Sequence, residues 1–392
     1  MSQQLINHSS DLKRLQEDGY EVSIKSGYLV ITSVPYVNSS KEIKYGTLVS
    51  DLSLAGDMTD QPANHVAMFI GEYPCNRNGV EIVKFNAGST PQTLAEGLVI
   101  NHSFSTKPKT GRYTDYHEKM TTYIAIISGS AEALDPKVTA RTYPVIEAQE
   151  EDSVFNYIDN ASSRAGINIV TQKLEVDKIG IIGLGGTGSY VLDFVAKTPV
   201  KEIYLFDGDR FSQHNAFRSP GAPSVNELRE KPQKVTYFKN RYSSMRRNIV
   251  ANDWYIDSSN VDQLREMDFI FLCIDSGSAK KLIVEKLKEF GISFIDVGMG
   301  IYLVDEALGG IVRTTIATAE KGDHVEGKIS FSDDSEDNEY TQNIQIADLN
   351  ALNASLAVIK WKKLRGFYLD FENEHHSLYT IDGNNLINEV KL

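Results

Sequence analysis

The sequence predicts a C-terminal α/β domain built on a doubly wound, mostly parallel sheet, preceded by a separate N-terminal α+β domain. Three observations carry this expectation. From Lys178 onward, apolar runs alternate with helical stripes: Ile179–Gly183, then Tyr190, Val191, Phe194 and Val195 at helical spacing, then Ile203–Phe206. Before that point, candidate strands follow one another with few helices between them, which argues against a parallel sheet there. Finally, 392 residues suffice for two cores, and the acidic stretch Pro144–Ser153 offers a connector, which places the domains at 1–145 and 146–392.

In the first domain, Asp11–Asp18 reads as a short helix after the cap candidates Ser9 and Ser10, with Leu12 and Leu15 on one face. Val22, Ile24, Leu29 and Ile31 alternate around Lys25–Ser26–Gly27, as a hairpin requires. Further strands are expected at Thr47–Leu54, His65–Ile70 and Thr122–Ile127.

In the second domain, Ile179–Gly183 is the first strand, followed by a helix from Thr187 and a strand at Ile203–Phe206. An irregular stretch runs to Pro223, and a helical stretch through Tyr242 restarts at Pro232, a good first-turn residue. Asp268–Ile274, Ser278–Phe290 and Ile292–Val297 continue the strand–helix–strand alternation, so the sheet is expected to be of Rossmann type. Leu349, Leu352, Leu356 and Ile359 mark a last helix whose basic end, Lys360 to Arg365, precedes Gly366. The tail reads as strands around Asp382–Gly383–Asn384.

Composition narrows the function classes. The formal net charge is −13, which argues against nucleic-acid binding, because neutralising phosphates requires clustered Lys and Arg. No apolar run has the length of a membrane span, and MSQQLINHSSDLKRL lacks the apolar core of a signal peptide, so the expected location is the cytoplasm. The two cysteines, Cys75 and Cys273, do not make a disulfide framework or a four-cysteine zinc site.

The chemistry concentrates between Gly183 and Asp275. Gly183-Leu184-Gly185-Gly186-Thr187-Gly188 joins a strand to a helix, where glycines admit phosphate oxygens and the helix N-terminus offers N–H donors. Asp207 ends the next strand, about 20 residues on, where an acid takes ribose hydroxyls. Those features alone do not separate NAD from ATP. The residues that follow do: Asp209, Asn215, Arg218, Lys231 and Lys234 form a series that an NAD site has no use for. An ATP attacked by a carboxylate needs such cations to hold the triphosphate and neutralise charge at the α-phosphate. Asp275, at the C-terminal end of the Phe271–Asp275 strand, is a hard oxygen ligand suited to Mg²⁺.

These motifs together resemble the ThiF/MoeB adenylyltransferase family, which includes the ubiquitin-activating enzymes. GLGGTG, LFDGDRFSQHNAFRS, KPQK, the Asp275 strand end, DVGMG and GGIVRT carry the match, in order, over roughly residues 155–365. The resemblance implies a Mg–ATP site that adenylates the C-terminal glycine carboxylate of a ubiquitin-like protein. It casts Asp207 as the ribose acid, Arg218 and Lys234 as the phosphate pair, Asp209 and Asn215 as polar site residues, and Asp275 as the magnesium acid. It also matches Arg164 to an arginine given across a homodimer interface, as a catalytic residue. The N-terminal region, through Tyr36-Val37-Asn38, Leu54–Asp57 and Asn64-His65-Val66, resembles an uncharacterised domain fused to such enzymes in bacterial systems that also encode conjugating-enzyme-like proteins.

Two family features are missing: paired Cys-x-x-Cys motifs, so no zinc is expected, and a cysteine between Ile316 and Ile344 for a thioester. Cys273 is expected to be buried, and Cys75, in the turn-like Tyr73–Asn76, to be more accessible. Ser330, Ser332, Ser335 and Thr341, in the polar segment Lys328–Gln342, are alternative acyl acceptors with His324 as the nearby base, and His375-His376 reads as a surface pair. Activation of a ubiquitin-like protein is the favoured reading. Adenylation of a peptide or small carboxylate in cofactor or tRNA modification, and a non-catalytic dimeric scaffold, stay open.

Overall fold

The computed structural model describes residues 2–148, 153–331 and 344–391, without the side chains of Ser2, Ser163, Arg164, Val390 and Lys391. The chain divides into two compact units, Met1–Ile146 and Glu147–Leu392. Among the described residues no helix is long and apolar enough to cross a membrane.

The first unit opens with α1 (Ser2–His8) and α2 (Ser10–Glu17). An antiparallel sheet follows: β1 (Glu21–Lys25), β2 (Tyr28–Val37), β3 (Ile43–Asp51), β4 (Val66–Ile70), β5 (Asn86–Gly88) and β6 (His102–Ser105), in the order β1-β2-β3-β4-β6-β5. Helix α3 (Tyr116–Leu134) covers one face of it.

Two expectations fail here. Thr122–Ile127 is not a strand but lies inside α3. Its β-branched and aromatic residues suggest a strand locally, but Met120, Tyr123, Ile124, Ile127 and Ala131 recur at helical spacing and are all buried. Asp115 caps the helix by accepting the Glu118 N–H at 2.7 Å. The Thr47–Leu54 strand ends at Asp51, and Leu54–Ala55 instead pairs with Met58–Thr59 in a separate short ribbon.

The second unit holds the sheet that positions the site. In chain order its elements are β7 (Lys178–Ile182), α4 (Gly186–Val195), β8 (Glu202–Phe206), α5 (Lys234–Ser243), β9 (Ile249–Asn252), β10 (Phe269–Leu272), α6 (Gly277–Phe290), β11 (Ser293–Val304), β12 (Ala307–Ala317), α7 (Ala347–Leu364), β13 (Glu374–Thr380) and β14 (Asn385–Lys391). The strand order is β9-β8-β7-β10-β11-β12-β13-β14. The first five strands are parallel and the rest antiparallel.

Strand alternation explains why both faces are covered. Ile179, Ile181, Phe269 and Phe271 pack on one face against Val191 and Val195 of α4, Phe238 of α5, and Val358 and Trp361 of α7. Their neighbours Ile182, Ile270 and Leu272 point to the other face, against Ile283, Val284 and Leu287 of α6. Trp361, fully buried, sits against Phe269 and Phe271 and anchors α7; its loss would cost roughly 3–5 kcal/mol.

β11 runs well beyond the expected Ile292–Val297, because it forms a long hairpin with β12 from Phe294↔Ala317 to Val304↔Ala307. His375 and His376 are not a surface pair. Both rings are buried on β13: the His375 ring lies edge-on to His324, and His376 Nδ1 is 2.9 Å from Thr315 Oγ1.

Candidate functional site

The sheet changes direction between β7 and β10: from β7 the chain winds outward to β8 and β9, then returns to β10 and winds the other way to β11. Loops at the C-terminal ends of strands on either side of such a point diverge and leave a crevice. Gly183 follows β7, Asp207 follows β8 and Asp275 follows β10, so all three converge there. A cavity of about 720 Å³ fills the crevice, within the usual range for small-molecule sites.

The glycine loop is shaped by close packing. Gly183 has φ +86°, and a Cβ there would lie 2.6 Å from the Cys273 carbonyl oxygen. A Cβ on Gly188 would lie 1.9 Å from the Gly183 carbonyl oxygen, so the turn into α4 closes only on glycine. Gly183, Gly185 and Gly186 line the cavity with Thr187, at the N-terminus of α4, where orphan N–H groups and the helix dipole favour an anion. Gly188 lies one step inside the helix and supports the turn rather than the wall.

Asp207 holds this loop. Its Oδ2 accepts the Leu184 N–H at 2.6 Å, and its Oδ1 accepts the Asp209 N–H at 2.8 Å. Lys234, buried at the start of α5, places Nζ 2.6 Å from Asp209 Oδ2 and 3.5 Å from Asp207 Oδ2. Burial works against ionisation of Asp209, but the Lys234 ammonium and the Tyr255 hydroxyl outweigh it and hold its carboxyl below the usual range. Tyr255 donates to Asp209 Oδ1, and that bond, with burial, pushes its phenol up to about 12.

Arg218 reaches the same cavity, and its Nε is buried without a hydrogen bond among the described residues. Asp275 lines the opposite side with Ser276, ahead of α6.

Not every expected residue reaches the wall. Asn215 is buried beside it and closes a capping box, its Oδ1 accepting the Ser212 N–H at 2.9 Å. Lys231 is exposed, in the left-handed C-cap of the Val225–Glu230 helix, and does not line the cavity. Arg164 ends the Asn160–Arg164 helix, and its side chain lies outside the described residues, as do Ser332, Ser335 and Thr341. Ser330 lines the cavity, whereas His324 does not: its buried Nε2 pairs with the Ile316 carbonyl at 2.9 Å.

The thiols are placed differently from expectation. Cys75 is fully buried, its N–H bonded to the Val37 carbonyl at 2.7 Å, so the accessible turn is not formed. Burial and then Glu81 and Glu72 push its thiol up. Cys273 is half-buried under the glycine loop and touches the cavity, and desolvation with Asp296 nearby pushes its thiol far above the ordinary range.

DVGMG and GGIVRT contain Asp296 and Arg313, but the motifs alone assign neither residue a role, and the structure joins them with Lys280 in one cluster. Asp296 on β11, with no exposed surface, binds Lys280 of α6 at 3.0 Å and Arg313 of β12 at 2.5 Å. Arg313 also donates to the Lys328 carbonyl, and Lys280, Arg313 and Lys328 all line the cavity. Two cations around one carboxylate add a positive charge to a wall that already carries Arg218 and Lys234.

Comparison with known proteins decides the family: the ThiF family model matches residues 159–359, over half of the chain. The chain belongs to the ThiF family. A domain of unknown function, DUF6791, matches residues 10–160. Ubiquitin-like modifier-activating enzyme 5 of Culex quinquefasciatus is 20% identical over 179 residues, 42% of this chain and 43% of that protein, so the chain spans under half the length of this relative. The crystal structure of E. coli MccB with MccA-N7isoASN is similar at TM-score 0.47 and 18% identity, covering 59% of this chain and 72% of that one. That of PaaA is similar at TM-score 0.45 and 16% identity, covering 57% and 76%. The cavity lies wholly within the segment matched by the ThiF model.

Proposed function

We propose that this chain binds Mg–ATP on the Gly183–Gly188 loop and transfers AMP to the C-terminal carboxylate of a ubiquitin-like protein. A carboxylate oxygen attacks the α-phosphorus, the bond from that phosphorus to the bridging oxygen breaks, and pyrophosphate leaves with the electron pair. Negative charge grows on the phosphoryl oxygens, where fixed cations act most strongly. The observation that carries the reading is one cavity uniting a helix N-terminus with Lys234, held by Asp207 and Asp209, and with Arg218, whose buried Nε has no partner among the described residues. An NAD site leaves those cations unexplained. Membership of the ThiF family and the ubiquitin-like modifier-activating relative support the acyl substrate.

Asp207 takes the ribose and orders the loop, Asp209 sets the Lys234 ammonium, and Tyr255 walls the nucleoside end. Asn215 supports the turn that presents Arg218, and Lys231 serves incoming phosphate only from outside the cavity. Magnesium is bound by one or two carboxylates together with substrate phosphates, and Asp275 and Asp209 supply such oxygens in one cavity. Bound there, the ion would neutralise phosphate charge.

The chain acts as a homodimer in which Arg164 reaches the partner's nucleotide, and it hands the adenylate to a conjugating-enzyme-like partner. Mixed Arg164→Ala and Asp275→Ala subunits should recover part of the lost activity; mixed dimers that stay inactive would refute the trans role. ATP–pyrophosphate exchange tests the reaction. It should require both magnesium and a protein ending in glycine, and exchange with neither added would contradict the proposal.

A further inference from the structure

Two asparagines of α7, Asn350 and Asn353, line the cavity and have no part in the reading above. They are 1% and 0% exposed and lie three residues apart, on one helix face. Asn353 Nδ2 donates to the Gly298 carbonyl at 2.9 Å. A carbonyl only accepts, which fixes the amide and leaves Asn353 Oδ1 as a buried acceptor with no partner among the described residues. Asn350 Oδ1 accepts the Thr187 hydroxyl at 2.9 Å, which leaves Asn350 Nδ2 as a buried donor likewise without a partner. Native structures rarely leave such groups unmet, so one acceptor and one donor on a cavity wall point to a ligand that supplies their complements.

Their surroundings say which ligand. The register of β11 with β10 ends at Leu272↔Asp296, whereas its pairing with β12 continues to Val304. Past Asp296, β11 therefore has one unpaired edge among the described residues, and Val297–Ile301 line the cavity. An unpaired edge suits an extended chain, whose peptide groups present N–H and C=O together. Asn350 lies against the glycine loop, with its amide in the space a Gly186 side chain would fill, so the donor is the member nearer the phosphate-binding turn.

We propose that these two positioning residues read the last peptide group of the acyl substrate. Asn353 Oδ1 accepts its amide N–H, and Asn350 Nδ2 donates to its terminal carboxylate beside the nucleotide. The proposal rests on the adenylation reading and deepens it: it assigns the two residues that hold the last amide and the carboxylate of the substrate's tail. A carboxylate without an amide N–H leaves Asn353 Oδ1 unmet, a penalty that discriminates strongly in buried sites.

The test is ATP–pyrophosphate exchange by the full chain with three probes: a synthetic pentapeptide ending in Gly-Gly, the same peptide with its last amide replaced by an ester, and free glycine. Wild type should show a KM for the amide lower by roughly tenfold or more than for the ester, with kcat nearly unchanged. Asn353→Ala should abolish the preference, giving amide and ester the same KM when both are measured in the variant. Asn350→Leu should raise both KM values together. The wild-type comparison of amide and ester needs no variant to fold. Equal KM values in wild type, or a preference that survives Asn353→Ala, would overturn the proposal and leave adenylation standing. Exchange with free glycine but neither peptide would overturn it as well. Exchange with none of the probes would count against the adenylation reading and this proposal together.

Discussion

Asp207 Oδ2 accepts the backbone N–H of Leu184 at 2.6 Å, so the acid at the end of β8 directly ties down the glycine loop after β7. Its other oxygen holds the Asp209 N–H at 2.8 Å. One carboxylate thus orders both walls of the nucleotide end of the cavity and remains in reach of Lys234.

Replacing Asp207 by alanine removes both bonds and leaves the buried Leu184 N–H and the part-buried Asp209 N–H without their acceptor. Stability should fall by about 1–3 kcal/mol, chiefly from the Leu184 N–H stranded away from water, read by urea denaturation. ATP affinity should fall at least tenfold in calorimetric titration. An Asp207→Ala protein that binds ATP as tightly as wild type would remove Asp207 from the proposed site.

The thiols give a second expectation. Thiolate is the reactive form, and burial raises both Cys75 and Cys273. Cys75→Ala and Cys273→Ala should each retain pyrophosphate exchange and downstream transfer, with no reductant-sensitive adduct on gels. Acyl transfer would then pass directly to a partner's nucleophile or through a hydroxyl in Lys328–Gln342, as a hydroxylamine-sensitive oxyester. A reductant-sensitive adduct that disappears in Cys75→Ala would place the acyl carrier in the N-terminal unit.

Stability should also depend on pH through His376. Burial, then the charges of Lys328 and Arg313, lower its pKa from 6.5 to about 4. The folded state therefore keeps the ring neutral where the unfolded chain protonates it. The stabilisation is complete above pH 6.5 and is lost as the pH falls toward 4, by up to about 3 kcal/mol. Denaturation of wild type and His376→Asn across this window should show a shallower pH slope in the variant. Equal slopes would show that His376 titrates alike folded and unfolded.

The most legible parts of the chain were those whose signals are local. The Gly183–Gly188 turn, Asp207 and the flanking strand and helix lie within about 30 residues, and close backbone packing demands glycine at Gly183 and Gly188. Thr122–Ile127 misled because a short window of β-branched and aromatic residues suits either element, and only the longer spacing from Met120 to Ala131 reveals the helix. Asp296 and Arg313 lie in DVGMG and GGIVRT, but their joining with Lys280 left no local signal, and the Asn350–Asn353 pair left no motif at all. They meet only through the pairing of β11 with β12 and the docking of α7, contacts between distant parts of the chain. The burial of Cys75 and His376 was missed for the same reason: Cys75 bridges to Val37 and His376 meets Thr315, partners distant in sequence.

The most direct test of the central claim is intact-mass analysis of a candidate ubiquitin-like protein ending in glycine, incubated with this chain, magnesium and ATP. Wild type should add one AMP to the protein's C-terminus and release pyrophosphate in equal amount. Asp275→Ala should retain its fold and add none, because the cavity then lacks the carboxylate proposed to hold magnesium against the phosphates. Undiminished AMP transfer by Asp275→Ala, or cleavage of ATP to ADP and phosphate with no AMP on the protein, would contradict the account.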